Sequence, residues 1–94
     1  MNEADLGKVF LFALPWDWTF VGRFEGFIGE RIVIAEAGYF TRTGATFDRL
    51  CKEGFAPDTQ FHAIKTAGGR CRVPNGGLIF PWEAAWPQRE ARLQ

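Results

Sequence analysis

Between Trp18 and Phe40 the chain carries two runs rich in β-branched and aromatic residues, Trp18 to Ile28 and Arg31 to Phe40, separated only by Gly29-Glu30. So short a gap between strand-forming runs predicts an antiparallel hairpin. By the period of two, Phe20, Gly22, Phe24 and Gly26 share one face of the first run, and Thr19, Val21, Arg23 and Glu25 the other. Glycine inside a strand marks a bend or a close backbone approach, and strong bending is what a small barrel needs. The second run, with Ile32, Val33, Ile34, Ala35 and Ala37, supplies the partner strand.

The remaining segments arrange themselves around this hairpin. Lys8 to Leu14 is a short apolar run closed by Pro15 and reads as a first, buried strand, followed by a turn at Trp16-Asp17-Trp18. After the hairpin, Thr43 is placed to cap a short helix with Phe47, Leu50 and Cys51 at helical spacing and Gly54 as its stop. Pro57-Asp58 lead into a strand from Phe61 to Thr66, which turns at Gly68-Gly69 into Arg70 to Val73. Beyond Pro74-Asn75-Gly76-Gly77, Leu78 to Phe80 is a last strand. The expectation is a mainly β fold: a five-stranded barrel with one short helix inserted between strands three and four. A single domain over 1–87 is followed by a polar tail, 88–94.

Composition narrows the function classes. With 94 residues, of which 11 are basic and 11 acidic, the chain has no net charge with which to coat a phosphate backbone, so nucleic acid is not the expected partner. It contains no serine and one histidine, His62, which excludes serine-nucleophile triads and metal sites needing two imidazoles. Glu3 and Asp5 precede the first apolar run, and Val9 to Leu14 is far too short to span a bilayer, predicting a cytoplasmic chain with no membrane partner and reduced, buried thiols at Cys51 and Cys71. A thiol nucleophile paired with His62, or a carboxylate pair drawn from Glu25, Glu30 and Glu36, is outweighed by core and solvated roles, and the glycines at 22, 26 and 29 lie in a strand and its turn rather than in a dinucleotide loop. The reading is therefore non-enzymatic, without cofactor or metal.

Val21 to Ala37, a bent glycine-containing strand turning into an apolar strand with an acidic-Ala ending, resembles the first signature of Sm-like proteins. Arg72-Val73-Pro74-Asn75-Gly76-Gly77-Leu78-Ile79-Phe80 resembles their second signature. The likeness implies an SH3-like barrel. Glu30 and Ile32 stand where that family has its base-binding acid and Asn, and the helix falls between strands three and four rather than at the N-terminus, so uridine recognition does not carry over. A second resemblance is to short phage and prophage proteins, carried by Gly22-Arg23, Tyr39-Phe40-Thr41-Arg42-Thr43-Gly44, Phe47 to Leu50 and Trp86.

Eight arginines against three lysines favour the planar fork that holds carboxylate or phosphate by paired hydrogen bonds. Arg42 between the hydroxyls of Thr41 and Thr43, and Arg70 and Arg72 on one strand face, are the anion-binding candidates; Tyr39, Asn75 and Trp82 complete the expected ligand site. A filled five-stranded barrel leaves a deep pocket only between subunits, which predicts a homo-oligomer. The leading expectation is thus a phage-derived homo-oligomer that sequesters a small anionic, nucleotide-derived ligand, namely a host anti-phage defence signal. A phage structural or protein-interaction module comes second, single-stranded nucleic-acid binding third.

Overall fold

The hairpin is the longest element of the structure, a computed structural model that describes residues 1–15, 18–40, 46–55 and 59–86. In chain order the elements are β1 (Val9–Ala13), β2 (Thr19–Ile28), β3 (Arg31–Phe40), α1 (Phe47–Glu53), β4 (Phe61–Ala63), β5 (Cys71–Pro74) and β6 (Leu78–Pro81), with single 3₁₀ turns at Glu3–Asp5 and Ala67–Gly69. The sequence expectation of a mainly β chain with one helix between the third and fourth strands holds.

The strand count does not. Six antiparallel strands form one sheet in the order β4-β3-β2-β1-β6, and β5 pairs with β3. The expected hairpin turning at Gly68-Gly69 is absent. Instead β4 lies against Gly38 to Phe40 and β5 against Arg31 to Ile34, so residues 61–74 run once along the whole of β3 with an excursion in the middle. Opposite that excursion Glu36 adopts a positive φ of 49°, and Gly68 and Gly69 take φ of 68° and 62°. The backbone there leaves ladder geometry, so the two stretches pair with β3 and not with each other. Among the described residues no ladder joins β5 to β6, so closure into a barrel is not shown.

Curvature arises in β2, as the glycines suggest. Its register with β3 shifts between Phe24 and Gly26, and Gly26 has φ 127°, a conformation L side chains rarely adopt. Gly38 has a different role: the Phe61 ring lies where a Cβ at residue 38 would stand.

Alternation along β1 sends side chains to two separate cores. Phe10 and Phe12 join Phe24, Ile32, Ile34, Ala37 and Val73 on one face, while Val9 and Leu11 join Val21, Phe40, Leu50, Cys51, Phe55, Phe61 and Trp82 on the other. Burial on both sides explains why β1 reads as an unbroken apolar run. The second face is covered by α1 and the segment after β6. Helix α1 is capped by Thr46, whose Oγ1 accepts from the Arg49 N–H at 3.2 Å, and not by Thr43. Trp16-Asp17, Thr41 to Ala45, Ala56-Pro57-Asp58 and the tail 87–94 lie outside the described residues.

Candidate functional site

The registers that build the sheet also line up rings across it. Phe12 stands opposite Phe20, Phe20 opposite Tyr39, and Tyr39 opposite His62. Residues directly opposite share a face, so one row crosses four strands. Trp18 extends it, stacking on Phe20 at a centroid distance of 6.1 Å and meeting Tyr39 at 5.6 Å; Tyr39 in turn stacks on His62 at 5.0 Å. Phe12 is sealed in the core, whereas Phe20, Tyr39 and His62 are half-buried and Trp18 is 49% exposed. Exposure therefore rises from Phe12 in the core, through the half-buried rings, to Trp18.

Beside Trp18 a groove of about 420 Å³ is lined by Leu14, Pro15, Trp18, Pro74, Gly76 and Gly77. The Leu14 N–H donates to the Trp18 carbonyl at 2.8 Å, a closure after which Trp18 lines the groove together with residues of the β5–β6 turn. Asn75, exposed in that turn, lies in sequence between the lining residues Pro74 and Gly76.

Of the expected site residues the structure brings Tyr39 and Asn75 to this end of the molecule. Thr41, Arg42 and Thr43 lie outside the described residues, in the segment that follows Phe40. Arg70 precedes β5 and is engaged: its Nε donates to Glu25 Oε1 at 2.8 Å, and the partnered carboxylate raises the guanidinium pKa further. Arg72 is exposed on β5, opposite Val33. Trp82 belongs to the core on the other face, 7% exposed, with its ring 5.3 Å from Phe55. Sequence reasoning missed Trp18, Phe20 and His62 as site residues. The Trp18-x-Phe20 spacing could have shown the first two sharing a face, but placing His62 beside Tyr39 needs the β3–β4 register.

Catalytic groups are poorly served here. Both thiols are pushed up to about 11, Cys51 by burial and then by the charges of Asp48 and Glu83, Cys71 by burial alone. Glu25 is paired with Arg70 and Glu36 with Arg23, the latter at 2.5 Å. Among the described residues no three His, Cys, Asp or Glu side chains gather where they could hold a metal, and no helix is long and apolar enough to cross a membrane.

A second cavity, about 300 Å³, opens where the segment after β6 meets the start of β1, lined by Lys8, Val9, Phe10, Arg23, Pro81, Trp82, Ala84 and Trp86. Its floor is fixed through Arg23: Nε on Glu36, Nη1 on the Gly7 carbonyl at 2.8 Å and Nη2 on the Trp86 carbonyl at 3.2 Å. Trp86 Nε1 donates to the Glu36 carbonyl at 2.9 Å. Trp82 Nε1 is buried without a hydrogen-bond partner, which costs about 1–3 kcal/mol when nothing replaces the lost water.

No family model matches the chain, and no curated protein or solved structure matches it. The functional reading rests on the site itself.

Proposed function

We propose that the protein is a non-catalytic binding module that takes a planar, anionic, nucleotide-derived ligand on the Trp18–Phe20–Tyr39–His62 row. The observation that carries this reading is the half-exposed Trp18 indole at the end of a continuous run of rings, beside an apolar groove. Every nucleobase has a face to stack, and each stacked base contributes about 1–3 kcal/mol. The anionic part of the ligand is assigned to Asn75 and, on the sequence expectation, to Arg42 with Thr41 and Thr43.

Capture at nanomolar strength requires about 12 kcal/mol, more than one open ring platform provides. A tight sink therefore needs a second copy to close over the row, which makes the homo-oligomer part of the same proposal. On the resemblance to phage proteins, the use of such capture is removal of a host defence signal. A second reading, a protein-interaction module, is favoured by the exposure of Phe27, Ile28 and Leu78 at 45%, 52% and 65%.

The test is gentle native mass spectrometry followed by tryptophan-quenching titrations with nucleotides and cyclic nucleotides, on the wild type and on Trp18→Ala. A multimer that binds and loses about tenfold or more in affinity with Trp18→Ala supports capture on the row. A monomer indifferent to nucleotides overturns it, and a ligand-free multimer supports the interaction module.

A further inference from the structure

The cavity between β1 and the Trp82–Trp86 segment has a lining of unusual one-sidedness. The side chains in it that carry polar atoms are Lys8, Arg23, Trp82 and Trp86, and every one of them is a hydrogen-bond donor with no acceptor atom. Lys8 takes part in no ion pair among the described residues. Arg23 has five N–H groups, of which Glu36, Gly7 and Trp86 take three, leaving one on each Nη. Those three bonds hold the guanidinium in place before any ligand arrives, so little freedom is lost when it binds. Trp82 lines the cavity as well, while its Nε1 lies out of reach of water and is the only buried side-chain polar atom without a partner among the described residues. The remaining surface is flat and apolar: Phe10, Pro81 and Trp86.

We infer that this cavity is a second binding site, for a small organic oxyanion, a carboxylate or phosphate carried on a flat apolar body. The oxyanion faces Lys8 and the free N–H groups of Arg23, where charge-assisted bonds are strongest, and the body lies against the indoles and Pro81. At about 300 Å³ the space is at the small end of ligand sites, which excludes a dinucleotide and admits a single-ring compound. The site is separate from the aromatic row, since it shares no lining residue with the row or with the groove beside Trp18.

The experiment follows the four indole N–H resonances of the ¹⁵N-labelled full chain, assigned with single Trp→Phe variants, while phenylacetate, phenyl phosphate, inorganic phosphate and uncharged phenylethanol are added separately. The expected result is saturable movement of the Trp82 and Trp86 signals with phenylacetate or phenyl phosphate, an unmoved Trp18 signal, and little effect of phenylethanol. Lys8→Gln, an exposed change that leaves the Arg23 bonds intact, then weakens binding by about tenfold, the loss of one charge-assisted hydrogen bond. Movement with inorganic phosphate alone would identify phosphate as the recognised oxyanion and keep the site. No movement of the Trp82 signal at millimolar probe, or equal binding of phenylethanol and indifference to Lys8→Gln, overturns the proposal.

Discussion

The two faces of one sheet bury their apolar surface with different material. On the first face every core residue comes from the strands β1, β2, β3 and β5, and the filling is a mixture of aliphatic side chains with Phe10, Phe12 and Phe24. On the second the strands supply only part; α1 gives Leu50 and Cys51, and non-strand positions give Phe55 and Trp82, with Trp86 packed on them. That face is held by aromatic edges: Phe55 and Trp86 at 5.8 Å and 71°, Phe61 and Trp86 at 5.6 Å and 82°, Trp82 and Trp86 at 5.5 Å and 75°. T-shaped contacts of this kind suit rings arriving from unrelated parts of the chain, because each ring edge is attracted to the face of another. Few backbone bonds tie the covering layer down: Trp82 N–H to the Val9 carbonyl at 2.9 Å, and the Glu83 and Ala84 N–H groups to the Cys51 carbonyl at 2.7 and 3.0 Å. A face made only of strands is a consequence of hairpin pairing, whereas the other is assembled over long sequence separations.

The largest effects test whether the two faces unfold together. Ile34→Ala and Leu50→Ala each remove a fully buried side chain, one from each core, and each is expected to cost about 2–5 kcal/mol. Urea unfolding followed by both far-ultraviolet dichroism and tryptophan fluorescence should give coincident transitions for both variants. A Leu50→Ala fluorescence transition that precedes the dichroism would show the helix-covered layer to be a separate unit and break the picture of one cooperative sheet.

A smaller change, Gly38→Ala, places a methyl where the Phe61 ring lies, and overpacking of this kind costs about 1–3 kcal/mol. Adding Phe61→Leu should recover part of that loss, so the double variant is more stable than the sum of the singles implies. Strict additivity would show that the ring does not depend on the missing Cβ. Thr46→Ala acts on the helix side alone; loss of the cap lowers stability by about 1 kcal/mol in chemical denaturation.

The thiols give one reporter on each face, Cys51 in the helix-side core and Cys71 packed against the strand core. Burial raises both to about 11, so the folded state favours the neutral form. The corresponding stability is fully present below the ordinary thiol pKa of about 8.5 and is lost as pH climbs from there toward the folded-state value. Iodoacetamide at mildly alkaline pH should label both more slowly than a free thiol, with half-buried Cys71 ahead of buried Cys51. The reverse order would mean that the helix-side layer opens more readily than the strand core.

The β2–β3 hairpin was legible because the information is local: two β-rich runs, a two-residue gap and Gly26 at the bend. α1 was legible from Phe47, Leu50, Cys51 and Gly54, although Thr46 rather than Thr43 caps it, since both threonines stand before the same apolar spacing. The fate of 61–74 was not. A Gly-Gly pair between two short β-rich runs fits a hairpin turn locally, and only β3, long enough to take both β4 and β5 along one edge, makes it an excursion instead. Arg70 and Arg72 were equivalent by spacing, yet Glu25 engages one of them from a strand 45 residues away in sequence.

What the sequence by itself determined is the β character, the hairpin with its bend, the single helix and the doubly buried first strand, all of which follow from periods of two and 3.6 and from backbone preferences of glycine and threonine. Tertiary structure alone decided the pairing of both β4 and β5 with β3, the aromatic row through Trp18, Phe20, Tyr39 and His62, and the donor-lined cavity around Arg23. Each of these depends on which strand lies beside which and in what register, and register is set by the summed burial of both faces rather than by any short run of residues.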